Sequence, residues 1–341
     1  MDRLQIITSM FEKVGVGLEI GPSYNPIIPK SSGARIESLD HLDQAGLILK
    51  YKDEPNVDIT RIEPVDYVSD GGPITETIPY SNYYSYILAS HVIEHMPNPL
   101  GFLRDCSSLL TQSGVVVLVV PDRRYCFDYF RPASTTGAIL QAYRGNRRRH
   151  LPGTLFDHAA YVSRRGPKIA WSERDTEPVT FVHTLAEAAS GFADYDVETP
   201  YADCHAWQFT PSSLRLILSD LAESAFLDLR EHAFHDTVEC EFFVALSRRG
   251  QGCPVDRLTL ATMALMEGIP AQLQSHAPTE SAEPAIAAAF APEFATSKGP
   301  PTTVGRTLRN VRKRLKRLAR SLRPPERPPP GDAGRQRPAP Q

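Results

Sequence analysis

With 341 residues and 41% apolar side chains, the chain can bury one large core or two small ones, and its net charge of −3 conceals an asymmetry. From Thr303 onward 12 Lys/Arg stand against 2 Asp/Glu, about +10, which leaves about −13 on the residues before it. An acidic body argues against nucleic acid as its partner. Five scattered cysteines without a CxxC pair point to reduced thiols and a cytoplasmic location. The N-terminal stretch is too polar for a signal peptide, and no apolar run approaches the ~18 residues of a membrane span.

The chain opens with a short apolar strand, Val16–Ile20, that carries Glu19 and breaks at Gly21. An acid near a strand's end followed by a glycine turn is how an α/β sheet offers backbone to a nucleotide-like ligand. Pro22, Pro26 and Pro29 then argue against a full helix directly after strand one. Strand two, Ala34–Asp40, ends on an acid about 19 residues after Gly21. Asp40 is therefore either a ribose-binding carboxylate or the N-cap of a helix over 41–51. Strand three is expected over Arg61–Val68, with Asp66 near its end. Strand four, Tyr84–Ser90, is an apolar run suited to a buried parallel strand, and a helix over Asn98–Leu110 follows, ending at Ser113-Gly114. Strand five, Val115–Val120, should be central.

Residues 122–208 break the rhythm, being rich in Arg, His and aromatics, and are expected to form an inserted lid or acceptor subdomain. The alternation resumes with a helix over Thr210–Ala225 and two strands, Leu227–Ala233 and Glu239–Ser247, that should pair as an antiparallel hairpin. The expected fold class is α/β: a doubly wound, mostly parallel, Rossmann-like sheet with that terminal hairpin and the lid. A domain over 1–250 gives way to a linker over 251–302 with one short helix, a basic amphipathic helix over 303–323 and a disordered tail over 324–341.

Taken together, GLEIGPSYNP, the acid closing strand two, YILASHVIEHMPNP and GVVVLVVPD resemble a class I S-adenosylmethionine-dependent methyltransferase. More closely, they are similar to those that stand beside glycosyltransferases in bacterial surface-polysaccharide pathways. The resemblance spans about residues 14–248. It implies S-adenosylmethionine as cofactor, with Glu19 and Gly21 at its methionine portion and Asp40 on the ribose. It also implies Asp66 near the adenine and Ser90 and His91 under the sulfonium. The implied acceptor is a sugar hydroxyl of a surface glycan or its precursor. A small-molecule or lipid O- or N-methyltransferase, and a non-catalytic scaffold on the same fold, are the rival readings.

A sugar hydroxyl must lose a proton, and histidine is the usual acceptor near neutral pH. His158 and His205 are the best-placed candidates in the insertion, each with an acid one or two residues before it and aromatics nearby. Trp171 and Trp207 read as core residues. The insertion's arginines, Arg123, Arg124 and Arg131 among them, read as a solvated face or as a groove for an anionic acceptor. His91-x-x-Glu94-His95 matches an inverted zinc-peptidase string. Pro97 and Pro99 cut it short, so it is expected to be a strand-exit turn whose side chains satisfy loop backbone and line the cofactor cleft, with no metal.

In the tail, Val304, Leu308, Val311, Leu315, Leu318 and Leu322 form a narrow a/d stripe whose flanking positions are mostly Arg or Lys and never acidic. A parallel pair of such helices would repel along its length, whereas each cation near an anionic membrane contributes about 1 kcal/mol. Reversible docking to the inner membrane face is therefore expected. In vesicle co-sedimentation, binding should need anionic lipid, fall at high salt and vanish on deleting residues 303–323. Equal pelleting with neutral vesicles, or a stable dimer lost on that deletion, would refute it.

Overall fold

The structure, a computed structural model, describes residues 1–193 and 202–269. The expected basic helix and tail, and the linker beyond residue 269, lie outside the described residues. Helix α1 (Arg3–Ser9), which the sequence reading did not anticipate, is closed by a capping box between Asp2 and Gln5. Strands β1 (Gly17–Ile20) and β2 (Ile36–Asp40) follow, then α2 (Gln44–Tyr51), β3 (Tyr67–Val68) and α3 (Ile74–Thr77). Next come β4 (Tyr84–Ser90), α4 (Pro99–Leu109) and β5 (Leu110–Pro121).

The stretch between β5 and α8 (Pro211–Glu223) contains α5 (Thr136–Arg144), α6 (Pro152–Tyr161), a two-stranded pair β6 (Ser163–Arg165) and β7 (Val179–Phe181), and α7 (Leu185–Ala193). The domain closes with β8 (Arg230–Val238), β9 (Glu241–Ser247) and α9 (Arg257–Glu267).

Seven strands form one sheet in the order β3-β2-β1-β4-β5-β9-β8. The first five run parallel, and β9 pairs antiparallel with both β5 and β8. This is the expected doubly wound, mostly parallel, Rossmann-like sheet with its terminal hairpin. The unbroken Val/Leu run of β5 is buried from Val115 to Pro121, as a strand covered on both faces must be. Ile6, Ile7 and Phe11 of the N-terminal segment join Leu88, Val117, Val119 and Phe243 in one core cluster.

Three elements depart from the sequence reading. Strand β3 holds two residues instead of eight, because Pro64 removes a ladder donor and Asp58 caps a 3-10 turn over Ile59–Arg61. Helix α4 stops at Leu109 and the chain turns straight into β5, so Ser113-Gly114 lies inside a strand. The cap of α2 is Asp43, which accepts from the Gly46 amide at 2.8 Å. Asp40 is thus left free of the capping role.

Gly17 sits where β1 crosses Tyr86 of β4, and a Cβ there would overlap the Tyr86 ring. That ring is fully buried and packs on Phe11 with centroids 4.7 Å apart. Gly17→Ala should cost about 1–3 kcal/mol by forcing Tyr86 or the strand to shift. Chemical denaturation measures it, and an unchanged midpoint would mean that the ring yields freely.

Candidate active site

The carboxyl edge of the parallel strands carries two clusters of polar side chains. The first lies over β1 and β2. Gly21 turns the chain at φ +67° and Ser23 follows at φ +52°, two left-handed residues that fold the loop back over the strand ends. The Ser23 amide donates to Asp40 Oδ2 at 2.8 Å, and the His41 amide donates to Asp40 Oδ1 at 2.7 Å. Glu19 holds the far end of the same loop, accepting from the amides of Ile27 and Ile28 at 2.7 and 3.2 Å. Its burial pushes the carboxyl up to about 7 in spite of those two amides.

Asp66 does not join this cluster. It precedes the shortened β3, and its carboxylate meets the Ser38 amide at 2.7 Å and Lys30 Nζ at 2.5 Å. The residue level with Asp40 on β3 is Val68, and the Ser69 amide donates to the Asp40 carbonyl.

The second cluster lies where β4 exits. His91 takes φ +53°, and Ile93–His95 form a single 3-10 turn, so the HxxEH string is the expected strand-exit turn. Its side chains do something else than expected. Glu94 is wholly buried, and among the described residues neither carboxylate oxygen has a hydrogen-bond partner. Instead of satisfying loop backbone, Glu94 Oε1 faces three imidazoles: His91 Nδ1 at 3.6 Å, His95 Nε2 at 3.9 Å and His205 Nε2 at 3.9 Å. Its own carbonyl accepts from the amides of Ala206 and Trp207, and this is what brings His205 of the insertion to the sheet edge.

Each of those imidazoles is held from behind by a carboxylate. Asp128 Oδ2 meets His205 Nδ1 at 2.5 Å, Asp203 Oδ1 meets His95 Nδ1 at 2.7 Å, and Glu241 Oε2 meets His91 Nε2 at 3.0 Å. A neutral ring so held keeps its proton on the bonded nitrogen and presents the other as a lone pair. For His91 and His95, burial alone would depress the imidazole, but the hydrogen-bonded carboxylates and the Glu94 charge outweigh it and raise both above the ordinary value. Arg3 of α1 bonds Glu241 at 2.6 Å and Ser90 Oγ at 2.7 Å, tying the N-terminal helix to the same edge.

The acid beside a histidine in sequence is not its partner in space. Asp203 stands two residues before His205 yet bonds His95, while Asp128, from 77 residues away, orients His205. His158 lies further off, its ring centroid 6.3 Å from that of His205. Its Nδ1 is buried without a partner among the described residues, and burial pushes the imidazole down to about 4.

Arg123, Arg124 and Arg131 are turned inward, whereas Arg144, Arg148 and Arg149 are exposed, as a solvated face has them. Arg123 donates to the carbonyls of Tyr129, Arg131 and Gly268, Arg124 is paired to buried Asp122, and Arg131 bonds Asp128 and the His205 carbonyl. They serve the buried carbonyls of an insertion poor in regular structure. Trp171 and Trp207 are buried, as expected of core residues.

Glu19 yields a pH test. Its folded acidity lies above the ordinary 4.5, so the folded state holds more protons than the unfolded between about 4.5 and 7. Stability should therefore fall as pH rises through that window and level off above it. Denaturant midpoints from pH 5 to 8 should show this slope flattened in Glu19→Gln; parallel curves would mean that Glu19 titrates normally.

The fit to a nucleoside-bearing cofactor is good: two left-handed residues turn the loop at the end of β1, an acid closes β2, and Ser23 Oγ is buried without a partner among the described residues. The family model described as a methyltransferase domain matches residues 30–218. A search of curated proteins found no match. Among solved structures, the chain is similar to a SAM-dependent methyltransferase from Aquifex aeolicus, at 11% identity over 71% of this chain and 87% of that one, TM-score 0.35. It is similar to a putative S-adenosylmethionine-dependent methyltransferase from Listeria monocytogenes, at 8% identity over 72% and 96%, TM-score 0.36. It is also similar to a structure described as putative Zn-dependent alcohol dehydrogenases from Rhodobacter sphaeroides, at 13% identity over 73% and 90%, TM-score 0.40. Likenesses this slight carry no argument, whereas the family model covers more than half of the chain. The chain belongs to the methyltransferase-domain family and is a class I S-adenosylmethionine-dependent methyltransferase.

Proposed function

We propose that this enzyme O-methylates a sugar hydroxyl of a cell-surface glycan or its precursor. The observation that carries the reading is the Asp128–His205 pair, a buried imidazole oriented by a carboxylate and set against the exit of β4. A neutral amine attacks a methyl donor unaided, but a hydroxyl needs its oxygen activated, and an oriented histidine is the means for that. Supporting it from the sequence side are GLEIGPSYNP and YILASHVIEHMPNP, which resemble enzymes of glycan assembly.

When bound, S-adenosylmethionine supplies an electrophilic methyl group on a sulfonium leaving group. In our reading Asp40 takes the ribose hydroxyls, Gly21 and the loop clamped by Glu19 receive the methionine portion, and Ser90 and His91 lie under the sulfonium. His205 activates the acceptor oxygen through Nε2, while Asp128 retains the proton on Nδ1. His158, kept neutral by its burial, lines the acceptor side. The basic segment 303–323 holds the enzyme beside an anionic membrane face.

Asp40→Ala should weaken cofactor binding tenfold or more in calorimetry, since a carboxylate on two hydroxyls contributes about 1.5–3 kcal/mol. His205→Ala should instead spare cofactor binding and lower turnover by ~10²–10⁴. Mass spectrometry of the host's surface polysaccharide, with and without the protein, tests the acceptor class. Methylation that is identical in both would overturn the sugar reading and favour a small-molecule or lipid acceptor, or a scaffold.

A further inference from the structure

Glu94 poses the sharpest physical problem in the molecule. A carboxylate with no accessible surface and, among the described residues, no hydrogen bond is strongly unfavourable unless a cation compensates it. Three imidazole nitrogens stand at 3.6–3.9 Å from its Oε1, beyond hydrogen-bond distance. Asp203 and Asp128 engage Nδ1 of His95 and His205, so in both rings Nε2 is the nitrogen turned toward Glu94. Two imidazole nitrogens and a carboxylate oxygen thus converge on one point.

Glu94, His95 and His205 offer ligand atoms that all lie within 4.8 Å of one another. Donors bound to one zinc-sized ion at about 2.1 Å stand roughly 3.4 Å apart, so small side-chain movements would close this triangle on an ion. The carboxylates behind the two histidines are the outer shell such sites need: they fix the tautomer and strengthen the ligand. Two histidines and one carboxylate with further positions open suit a divalent transition metal rather than calcium or magnesium, which prefer all-oxygen surroundings.

We propose that Glu94, His95 and His205 form a binding site for one divalent transition-metal ion at the exit of β4. His91, whose Nδ1 also approaches Glu94 Oε1, stands beside it as a reserve ligand. The proposal is independent of which acceptor is methylated. With the ion bound, His205 Nε2 is a ligand, and the ion takes over activation of an acceptor oxygen at an open position.

The test uses the full chain, stripped with a chelator and titrated with Co²⁺ and Zn²⁺ by calorimetry and visible absorption. One equivalent should bind at micromolar or lower concentration, with the d–d bands of nitrogen- and oxygen-ligated Co²⁺. Glu94→Gln and His205→Asn, close in shape to the native residues, should each abolish the bands. Asp128→Asn, which reaches the site through His205 and keeps an oxygen for Arg131, should weaken binding by about 10–100-fold. S-adenosylmethionine titrated into the same samples reports separately whether the cofactor half is intact. No saturable binding by the wild-type chain would overturn the proposal and leave Glu94 a structural residue of the turn. Binding that persists in Glu94→Gln and His205→Asn would overturn it equally, since the ion would then sit elsewhere.

Discussion

A buried carboxylate between the sheet and the insertion is the constraint on which the candidate site depends. Glu94 reaches that position because β4 ends in a left-handed residue and one 3-10 turn, which Pro97 and Pro99 prevent from growing into a helix. Its backbone carbonyl then fastens the insertion at Ala206 and Trp207, and the Trp207 indole donates to the Met96 carbonyl in the same turn. The turn therefore does two things at once. It joins the insertion to the sheet through its backbone, and it gathers His95 and His205 around one acid through its side chains.

The other half of the edge works by backbone instead. Prolines in the loop after Gly21 remove the helix that often follows a first strand, so its amides have no helical partners. Glu19 and Asp40 supply the missing acceptors: Glu19 for Ile27 and Ile28, Asp40 for Ser23. Burying Glu19 for this purpose raises its pKa, so the clamp costs stability near neutral pH. Both acids are structural before any ligand arrives, which makes them pre-organised rather than idle.

The insertion has little regular structure for its length, and its arginines compensate for that. A loop carbonyl turned inward must find a donor, and a guanidinium with five N–H groups can serve several. Arg123 alone reaches three carbonyls, two in its own loop at Tyr129 and Arg131 and one at Gly268 just beyond α9. Local positive charge in such a stretch reflects this need. A basic composition by itself therefore says little about an anionic ligand.

Periodicity and composition determined a good deal. The apolar runs of β1, β4 and β5, the capped helix α8 and the closing hairpin follow from local rules, because a strand buried on both faces and a capped helix leave their pattern in consecutive residues. Glu19, Gly21 and Asp40 were legible for the same reason: each stands at a strand end. The N-terminal helix, the length of β3 and the partners of the histidines were not. Whether Asp128 or Asp203 serves His205 depends on where the chain returns after dozens of residues, and neighbours in sequence point to different sides. Only the tertiary structure decided that His95 and His205, more than a hundred residues apart, share a buried Glu94, because that meeting is made by the packing of the insertion on the end of β4.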